Sequence, residues 1–332
     1  MFSIKEHAFA LSADDILLLP RKGVVSSRQE IKDTDNFIFS APMDTVTGPE
    51  LTEAMILNNQ VPVVCRFLPE SDLEFLLTKY WEKAFFAVGL NDIEKISRLI
   101  EKNNIPHVNI AIDIAHGDMD TAYHVIYKAK QSGMFKHIMS GSIVTEAAAE
   151  RSIEAGCDYL RVGIGPGKAC STRIMTGVGR PQLDAVDAIC NSVSEYVKVI
   201  ADGGISNPGS AVKYLAAGAH GIMMGSEFSR AKESLGWKMD QYGVMKKQYR
   251  GQASKAFQKD INKTTIYEEG ITCDAIYYDH NLTTQSVIDK YISGVQSACS
   301  YLGLSSVKEL RERYHQYRLV SYAGYIEGLP KS

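Results

Sequence analysis

The sequence predicts a (β/α)8 barrel, the TIM-barrel architecture, because one unit recurs along most of its 332 residues. Each unit is a short apolar run rich in β-branched residues, a break of small or polar residues, and then an amphipathic helical pattern. The apolar runs are nearly continuous rather than alternating, which is typical of parallel strands covered on both faces. An open doubly wound sheet is the alternative, and the number of runs makes it less favoured.

Eight runs have the length and composition of strands, and their ends are regularly spaced. The predicted strands are residues 37–43, 61–67, 84–90, 108–114, 137–143, 159–164, 197–201 and 221–224. Helical patterns between them include residues 92–102, 119–132, 146–155 and 207–217. Successive strand ends lie 22 to 28 residues apart, except for one gap of 39 between Gly163 and Asp202. That gap predicts an enlarged loop on the C-terminal face, where this fold carries its chemistry.

We expect one catalytic domain over residues 1–332, with a partly helical tail after residue 230. Within that tail the polar stretch 252–263 is typical of a mobile segment, and we predict an active-site flap over residues 251–269.

Composition excludes several classes of protein. The chain has 36 basic and 39 acidic residues, a net charge of -3, which argues against nucleic acid or an anionic membrane as the main partner. No apolar run approaches ~18 residues, so we expect no transmembrane helix. The first residues lack the apolar core of a secretory signal, so we expect a soluble, cytoplasmic protein.

The six cysteines form neither a paired zinc motif nor a disulfide scaffold. They are Cys65, Cys157, Cys170, Cys190, Cys273 and Cys299, and no two lie within four residues of each other. We therefore expect reduced thiols, most of them buried.

Cys170 differs, because it lies in the enlarged loop, three residues after the last of three closely spaced glycines. Residues 163–173 read GIGPGKACSTR, which fits neither a Walker A loop nor a dinucleotide-binding fingerprint. Glycines at this spacing let the backbone turn tightly and present its amides and carbonyls. Cys170 is therefore a candidate nucleophile toward an electrophilic ring carbon, with Thr172 placed to interact with a leaving group. A loop cysteine without a role is the alternative.

Glycine-rich turns also follow the last two predicted strands. Asp202, Gly203 and Gly204 follow the seventh, and Gly225 and Ser226 follow the eighth. In barrels these two positions commonly hold phosphate, and an aspartate there suits ribose hydroxyls. The pattern favours a nucleoside monophosphate site over two ordinary turns.

Several motifs, spread over nearly the whole chain, occur in one order. They are residues 14–20 (DDILLLP), 40–47 (SAPMDTVT), 163–173, 176–182 (TGVGRPQ), 202–204, 225–226, 249–251 (YRG), 269–270 and 297–303 (SACSYLG). Together they resemble the IMP dehydrogenase and GMP reductase family, whose members share this barrel.

The resemblance implies a shared chemistry and a set of site residues. Cys170 would attack C2 of a purine nucleotide, and a hydride would pass between C2 and a nicotinamide cofactor. The implied substrate-binding residues are Asp202, Gly203, Gly204, Gly225, Ser226, Tyr249, Gly251, Lys168 and Met43. Asp113, Ala115 and His116 would face the cofactor, although His116 also suits a purely structural position. A potassium ion would lie on the carbonyls of Gly165, Gly167 and Cys170, and a homotetramer is implied.

Two features favour the reductase branch over the dehydrogenases. The segment between Gly251 and Glu269 has no arginine, so the Arg-Tyr pair with which dehydrogenases activate water is missing. The regulatory CBS domain that dehydrogenases usually carry after the second strand is missing too. The resemblance then implies reduction of GMP by NADPH to IMP and ammonia, with Thr172 and Glu269 moving the proton for ammonia departure.

Two alternatives stay open. One is an IMP dehydrogenase without the regulatory domain, which would use NAD and activate water through Lys255 or Lys259. The other is a non-catalytic homologue that only binds a purine nucleotide.

Four positions depart from the family pattern around the nucleotide. Lys168 stands in place of a serine, Gln252 and Ala253 replace Met-Gly or Met-Ser, and Ser142 replaces an asparagine. These departures suggest that the nucleotide is read differently, for example as a deoxynucleotide or a modified purine.

Overall fold

A parallel eight-stranded sheet forms the centre of the protein, as predicted. The computed structural model describes residues 9–239, 242–261, 270–276, 282–312 and 315–329. Its strands are β1 (Ile16–Leu18), β2 (Ile38–Ser40), β3 (Val63–Val64), β4 (Phe85–Val88), β5 (Val108–Ile112), β6 (Phe135–Ile143), β7 (Tyr159–Val162), β8 (Lys198–Asp202), β9 (Gly221–Met224), β10 (Trp237–Met239), β11 (Met245–Arg250), β12 (Thr272–Ile276) and β13 (Tyr317–Leu319). Strands β2 to β9 are the eight predicted ones, so that prediction is confirmed.

The sheet closes on itself into a barrel. Its strand order is β2-β9-β8-β7-β6-β5-β4-β3, and every pairing is parallel. Between the two end strands, the Val61 N–H donates to Ile38 O (3.0 Å) and the Ser40 N–H donates to Val61 O (3.2 Å). The carboxyl ends of all eight strands therefore meet at one face.

Helices surround the sheet at the predicted places. They are α1 (Pro49–Leu57), α2 (Glu70–Tyr80), α3 (Ile93–Lys102), α4 (Asp120–Ser132), α5 (Glu146–Glu154), α6 (Thr172–Thr176), α7 (Gln182–Ser192), α8 (Pro208–Ala216), α9 (Lys255–Asp260), α10 (Thr284–Tyr301), α11 (Val307–Glu312) and α12 (Tyr322–Glu327). Side-chain caps begin several of them: Asn207 Oδ1 accepts from the Ser210 N–H (2.9 Å) at the start of α8. Among the described residues, no helix is long and apolar enough to cross a membrane.

The core has an inner and an outer layer, which explains the continuous apolar runs. In β4, Phe85 and Ala87 belong to the cluster inside the barrel, whereas Phe86 and Val88 pack toward the helices. Successive strand residues point to opposite faces, so both sets must be apolar. Inside, the ring of Phe85 meets Tyr159 edge-on with centroids 5.0 Å apart.

A second sheet, which the sequence analysis did not predict, lies over the C-terminal face. Strands β10, β11 and β12 form an antiparallel sheet within the expected helical tail. Its strands are short and carry many polar residues, so their pattern resembles loop more than strand. The sheet is joined to the barrel where the Leu235 N–H donates to Val46 O (3.1 Å) and where Arg250 pairs with Asp44 (2.6 Å).

We predict that Gly294→Ala destabilises the protein by about 1–3 kcal/mol. A Cβ at Gly294 in α10 would lie 2.3 Å from Cβ of Pro208, whose rigid ring begins α8. Alanine is normally more favourable than glycine in a helix interior, so any loss of stability in this variant would come from the overpacking. Urea unfolding measures it, with Gly328→Ala as the control, since the nearest atom there is 3.5 Å away. Equal stability of the two variants would contradict the tight contact.

Candidate active site

Two adjoining cavities open at the carboxyl ends of the barrel strands. The larger, here called the cleft, has a volume of about 460 Å³, and the smaller, here called the glycine pocket, about 170 Å³. Both are lined by Pro166, Gly167, Gly203, Gly225 and Tyr249, so they form one continuous site. The predicted loops after the last three barrel strands therefore come together in space.

Cys170 is exposed at the cleft and has a hydroxyl partner. Its thiol donates to Oγ1 of Thr172 (3.2 Å), the first residue of α6. The other cysteines whose side chains the structure describes are Cys65, Cys157, Cys190 and Cys299, and all four are buried. Burial raises the pKa of the Cys157 thiol to about 12, so that thiol stays neutral. The expectation that one cysteine differs from the rest is confirmed for these five; the side chain of Cys273 lies outside the described residues.

Arg173 supports the nucleophile loop from within. Its Nε donates to Ile164 O (2.7 Å) and its guanidinium also donates to Arg180 O, so it joins the two ends of the loop. Its stem packs so closely that a Cβ at Gly165 would lie 2.5 Å from Cγ of Arg173, and one at Gly179 2.8 Å. These glycines are thus needed for the packing of an arginine to which the sequence analysis gave no role.

The antiparallel sheet holds the same loop from the other side. The Ile271 N–H donates to Ala169 O (2.9 Å), and Cys170 forms an antiparallel bridge with Gly270. Cys170 is therefore fixed between the barrel and the residues that lead into β12.

Six of the nine residues implied to bind substrate line the glycine pocket. They are Lys168, Gly203, Gly204, Gly225, Ser226 and Tyr249. Gly203 and Gly204 have φ values of +82° and +71°, a conformation that favours glycine, and the Tyr214 hydroxyl donates to Gly204 O (3.2 Å). A Cβ at Gly225 would lie 2.9 Å from the Tyr249 hydroxyl. The pocket thus has main-chain walls that a small anion can approach closely.

Charge at the rim of this pocket is mainly positive. Lys168 Nζ lies 3.8 Å from Oε1 of Glu227, a carboxylate whose side chain is only 3% exposed. Both oxygens of Glu227 accept from Arg230 (3.1 Å), and Lys290 lies 3.3 Å from Oε2. Three cations therefore surround one carboxylate, which leaves the cluster with positive charge for an anion.

A buried arginine connects the two halves of the cleft. Arg161 in β7 donates through Nη1 to Oδ1 of Asp113 (3.1 Å) and through Nη2 to Oγ of Ser142 (3.1 Å). Its Nε lies 3.6 Å from Oδ2 of Asp202. The sequence analysis missed Arg161, although an arginine in an otherwise apolar strand was a usable signal.

Burial of Asp202 raises the pKa of its carboxyl to about 6, above the ordinary value of 3.8. Arg161 opposes this rise and Asp113 adds to it. At neutral pH the carboxylate is mostly ionised and so can accept hydrogen bonds from hydroxyl groups.

The far end of the cleft has aromatic walls and one buried carboxylate. Asp113 and Ala115, predicted to face a cofactor, line this end, whereas His116 is exposed and not among the lining residues. Phe67 and Phe257 meet edge-on with centroids 4.8 Å apart. The guanidinium of Arg66 lies 4.2 Å from the Phe67 ring centroid, and its Nε lies 3.5 Å from Oδ2 of Asp113. Aromatic rings beside a carboxylate suit a planar ring attached to a ribose.

Part of the predicted flap packs on the barrel as α9. Phe257 is buried, and Arg250 links Asp44 of the barrel to Asp260 at the end of α9, 2.6 Å from each. Glu269, predicted to be catalytic, lies outside the described residues together with the rest of 262–269. Met43 and Gly251 line the cleft as expected.

Comparison with known proteins identifies the family. The sequence pattern of the IMP dehydrogenase / GMP reductase domain matches residues 83–331. The chain belongs to this family. It is 33% identical over 314 residues to GMP reductase of Staphylococcus saprophyticus, an alignment that covers 90% of this chain and 92% of the relative. It is 29% identical over 326 residues to human GMP reductase 1, covering 91% and 93%.

Membership of the IMP dehydrogenase / GMP reductase family confirms the resemblance and agrees with the barrel fold. No regulatory domain interrupts β3 and β4, since the chain between them forms only α2. Among the described residues no cluster of three or more His, Cys, Asp or Glu side chains could hold a metal ion. Gly165 and Gly167 line the cleft, and Gly167 O accepts from the Cys170 N–H (3.0 Å), which leaves that oxygen a second lone pair for a cation.

We predict that Asp202→Asn changes how stability depends on pH. Because the folded-state pKa of about 6 exceeds the ordinary 3.8, the stability contributed by Asp202 is fully present below about pH 4. It is lost as pH rises through 6, by up to about 3 kcal/mol. Urea unfolding of wild type and variant between about pH 4 and pH 7 should therefore show wild type losing stability relative to the variant. A constant difference across that range would refute the raised pKa.

Proposed function

We propose that this protein reduces GMP to IMP and ammonia with NADPH, through a covalent bond between Cys170 and C2 of the purine. The observation that carries the proposal is the position of Cys170. Its thiol is exposed beside the Thr172 hydroxyl, at a cleft that continues into a glycine pocket suited to phosphate. A purely binding protein would need neither the nucleophile nor the hydroxyl.

The nucleotide would extend from the glycine pocket into the cleft. Its phosphate would bind the main-chain amides of the pocket and Lys168, and its ribose hydroxyls would donate to Asp202. Its base would then lie between Met43 and Cys170, where Gly251 leaves room for it. All of these residues line one or other cavity, which supports the placement.

The chain's own residues would perform the first half of the reaction. The thiolate of Cys170 would form a bond to C2, and the C2–N bond to the 2-amino group would break. Thr172, with Glu269 as the proton source, would deliver a proton to the departing nitrogen so that it leaves as ammonia.

NADPH, bound near Asp113 and Ala115, would supply a hydride to C2, and the C2–S bond would then break to release IMP and the thiolate. Overall, GMP, NADPH and two protons give IMP, NADP⁺ and an ammonium ion. Asp113 would hold the ribose next to the nicotinamide, and the aromatic wall of Phe67 and Phe257 would limit the access of water.

The reductase reaction is favoured over IMP oxidation by the sequence of the flap. Residues 251–269 contain no arginine, and Tyr267 is their only tyrosine, so the residues that activate water in the dehydrogenases are missing. The two relatives reported above are both named GMP reductases. We further propose a potassium ion on the carbonyls of Gly165, Gly167 and Cys170, a homotetramer, and a cytoplasmic location.

We predict that a mixture of the protein, GMP and NADPH loses the absorbance of reduced nicotinamide and releases ammonia. Cys170→Ala should abolish both signals because no covalent adduct can form, while GMP should still bind. Absorbance near the reduced-nicotinamide band and an ammonia assay measure the reaction. Appearance of the band with IMP and NAD, with no reaction of GMP, would instead establish the dehydrogenase. Nucleotide binding without either reaction would establish a binding protein.

We predict that Lys168→Ser raises KM for GMP about tenfold with little change in kcat, since the ammonium attracts the phosphate dianion and takes no part in the chemistry. The rise of KM with added salt should also be smaller in the variant. Steady-state kinetics at two ionic strengths measure both. Lys308→Ser is the matched control, because Lys308 Nζ also lies 3.8 Å from a glutamate, Glu312, away from the site. The same change in both variants would contradict a specific role.

A further inference from the structure

The side-chain amide of Gln252 has a fixed orientation. Its Nε2 donates to Pro42 O (3.0 Å) and to Oδ2 of Asp113 (2.9 Å). Two acceptors at one end of an amide require the nitrogen there, because an oxygen in that place would face two other oxygens. Both amide hydrogens are thereby used, so Gln252 has none left for a ligand.

The other end of this amide is an open acceptor. None of the described residues donates a hydrogen bond to Gln252 Oε1. Gln252 is half-buried and lines the cleft, so Oε1 needs a donor from a molecule that occupies the cleft. Position 252 also departs from the family pattern, so this acceptor belongs to the present chain.

The amide lies between the two sides of the cleft. Its acceptor Pro42 directly precedes Met43. On its other side, Gly251 lies so close to the nucleophile loop that a Cβ there would be 2.7 Å from Ala169 O. The side chain of Gln252 is thus fixed between Pro42 and Asp113, while the main chain before it adjoins the Cys170 loop. Met43, which follows Pro42, and Cys170 bound the space in which the proposed function places the base.

We propose that Gln252 determines base specificity by accepting a hydrogen bond from N1–H of a 6-oxopurine nucleotide. This rests on the proposed function for the placement of the purine in the cleft. An acceptor opposite N1 favours purines that carry a proton there and repels those whose N1 presents a lone pair. Purine nucleotides whose N1 carries no proton are therefore disfavoured by this side chain.

Two nucleotides that differ at this edge provide the test. GMP and 2-aminopurine riboside 5′-monophosphate share the 2-amino group and the phosphate, but only GMP has N1–H and the 6-oxygen. Their Kd values are measured by calorimetry without cofactor in the Cys170→Ala background, which prevents covalent bonding. The protein should prefer GMP by at least about tenfold, and adding Gln252→Met should bring the ratio of the two Kd values close to one.

Gln258→Met is the matched control. Gln258 Nε2 donates to the main-chain oxygen of Gln252 (2.6 Å), so its loss disturbs the flap but leaves the side-chain acceptor in place. It should weaken both nucleotides by the same factor and leave their ratio unchanged. If Gln252→Met also weakens the binding of both nucleotides by the same factor, the role of Gln252 is merely structural and the proposal is overturned.

The remaining outcomes separate this inference from the proposed function. Tighter binding of 2,6-diaminopurine riboside 5′-monophosphate than of GMP would show that Gln252 reads a 6-amino group, and would overturn the 6-oxopurine assignment. Selective binding of GMP that Gln252→Met abolishes, in a protein that does not reduce GMP, would support the inference and reject the reaction. Turnover of GMP by the protein, together with a ratio of the two Kd values that Gln252→Met leaves unchanged, would support the reaction and reject the inference.

Discussion

A single buried guanidinium holds the site together. Arg161 reaches Asp113 at the end of β5 and Asp202 at the end of β8, with Ser142 from β6 between them. Two carboxylates so close in a desolvated place repel each other, and the raised pKa of Asp202 reflects that burial. Without Arg161, the Asp202 carboxylate would lose the cation that lies 3.6 Å away, whereas Asp113 would keep Arg66 at 3.5 Å, so the electrostatic cost would fall mainly on Asp202. The Asp113 end and the Asp202 end of the cleft are therefore connected by one cation from the strand between them.

Cys170, the proposed nucleophile, is placed by a different means, because it lies on a loop rather than on a strand. Glycines give that loop its turns and allow Arg173 to pack against it. This packing fixes the loop, although a glycine-rich backbone is by itself flexible. The antiparallel sheet then fixes it from outside through Gly270 and Ile271. A thiol that is both exposed and fixed would meet a main requirement of the proposed covalent catalysis, since the reacting atoms would be held in position beforehand.

The three parts of the nucleotide would meet three kinds of recognition. The glycine pocket offers main-chain groups and the positive charge of Lys168, whose neighbour Glu227 is already neutralised by Arg230 and Lys290. The middle offers an ionised carboxylate for hydroxyl groups. The base end would offer Oε1 of Gln252. The position of this oxygen is fixed because Nε2 of the same amide donates to Pro42 and Asp113. Charge thus provides attraction at the phosphate end, whereas hydrogen-bond direction provides discrimination at the base end.

The sequence by itself determined the barrel, the nucleophile loop and the glycine turns, because these depend on residues that are near neighbours in the chain. Continuous apolar runs require strands covered on both faces, and glycine before Cys170 requires a tight turn. Only the tertiary structure joined Arg161 to Asp113, 48 residues away, and Gln252 to the same carboxylate, 139 residues away. Such contacts leave no local pattern, since barrel closure alone brings distant strand ends to one face. The short, polar strands β10 to β12 were missed for a similar reason: their pairing and their packing on the barrel define them, and their own sequence does not.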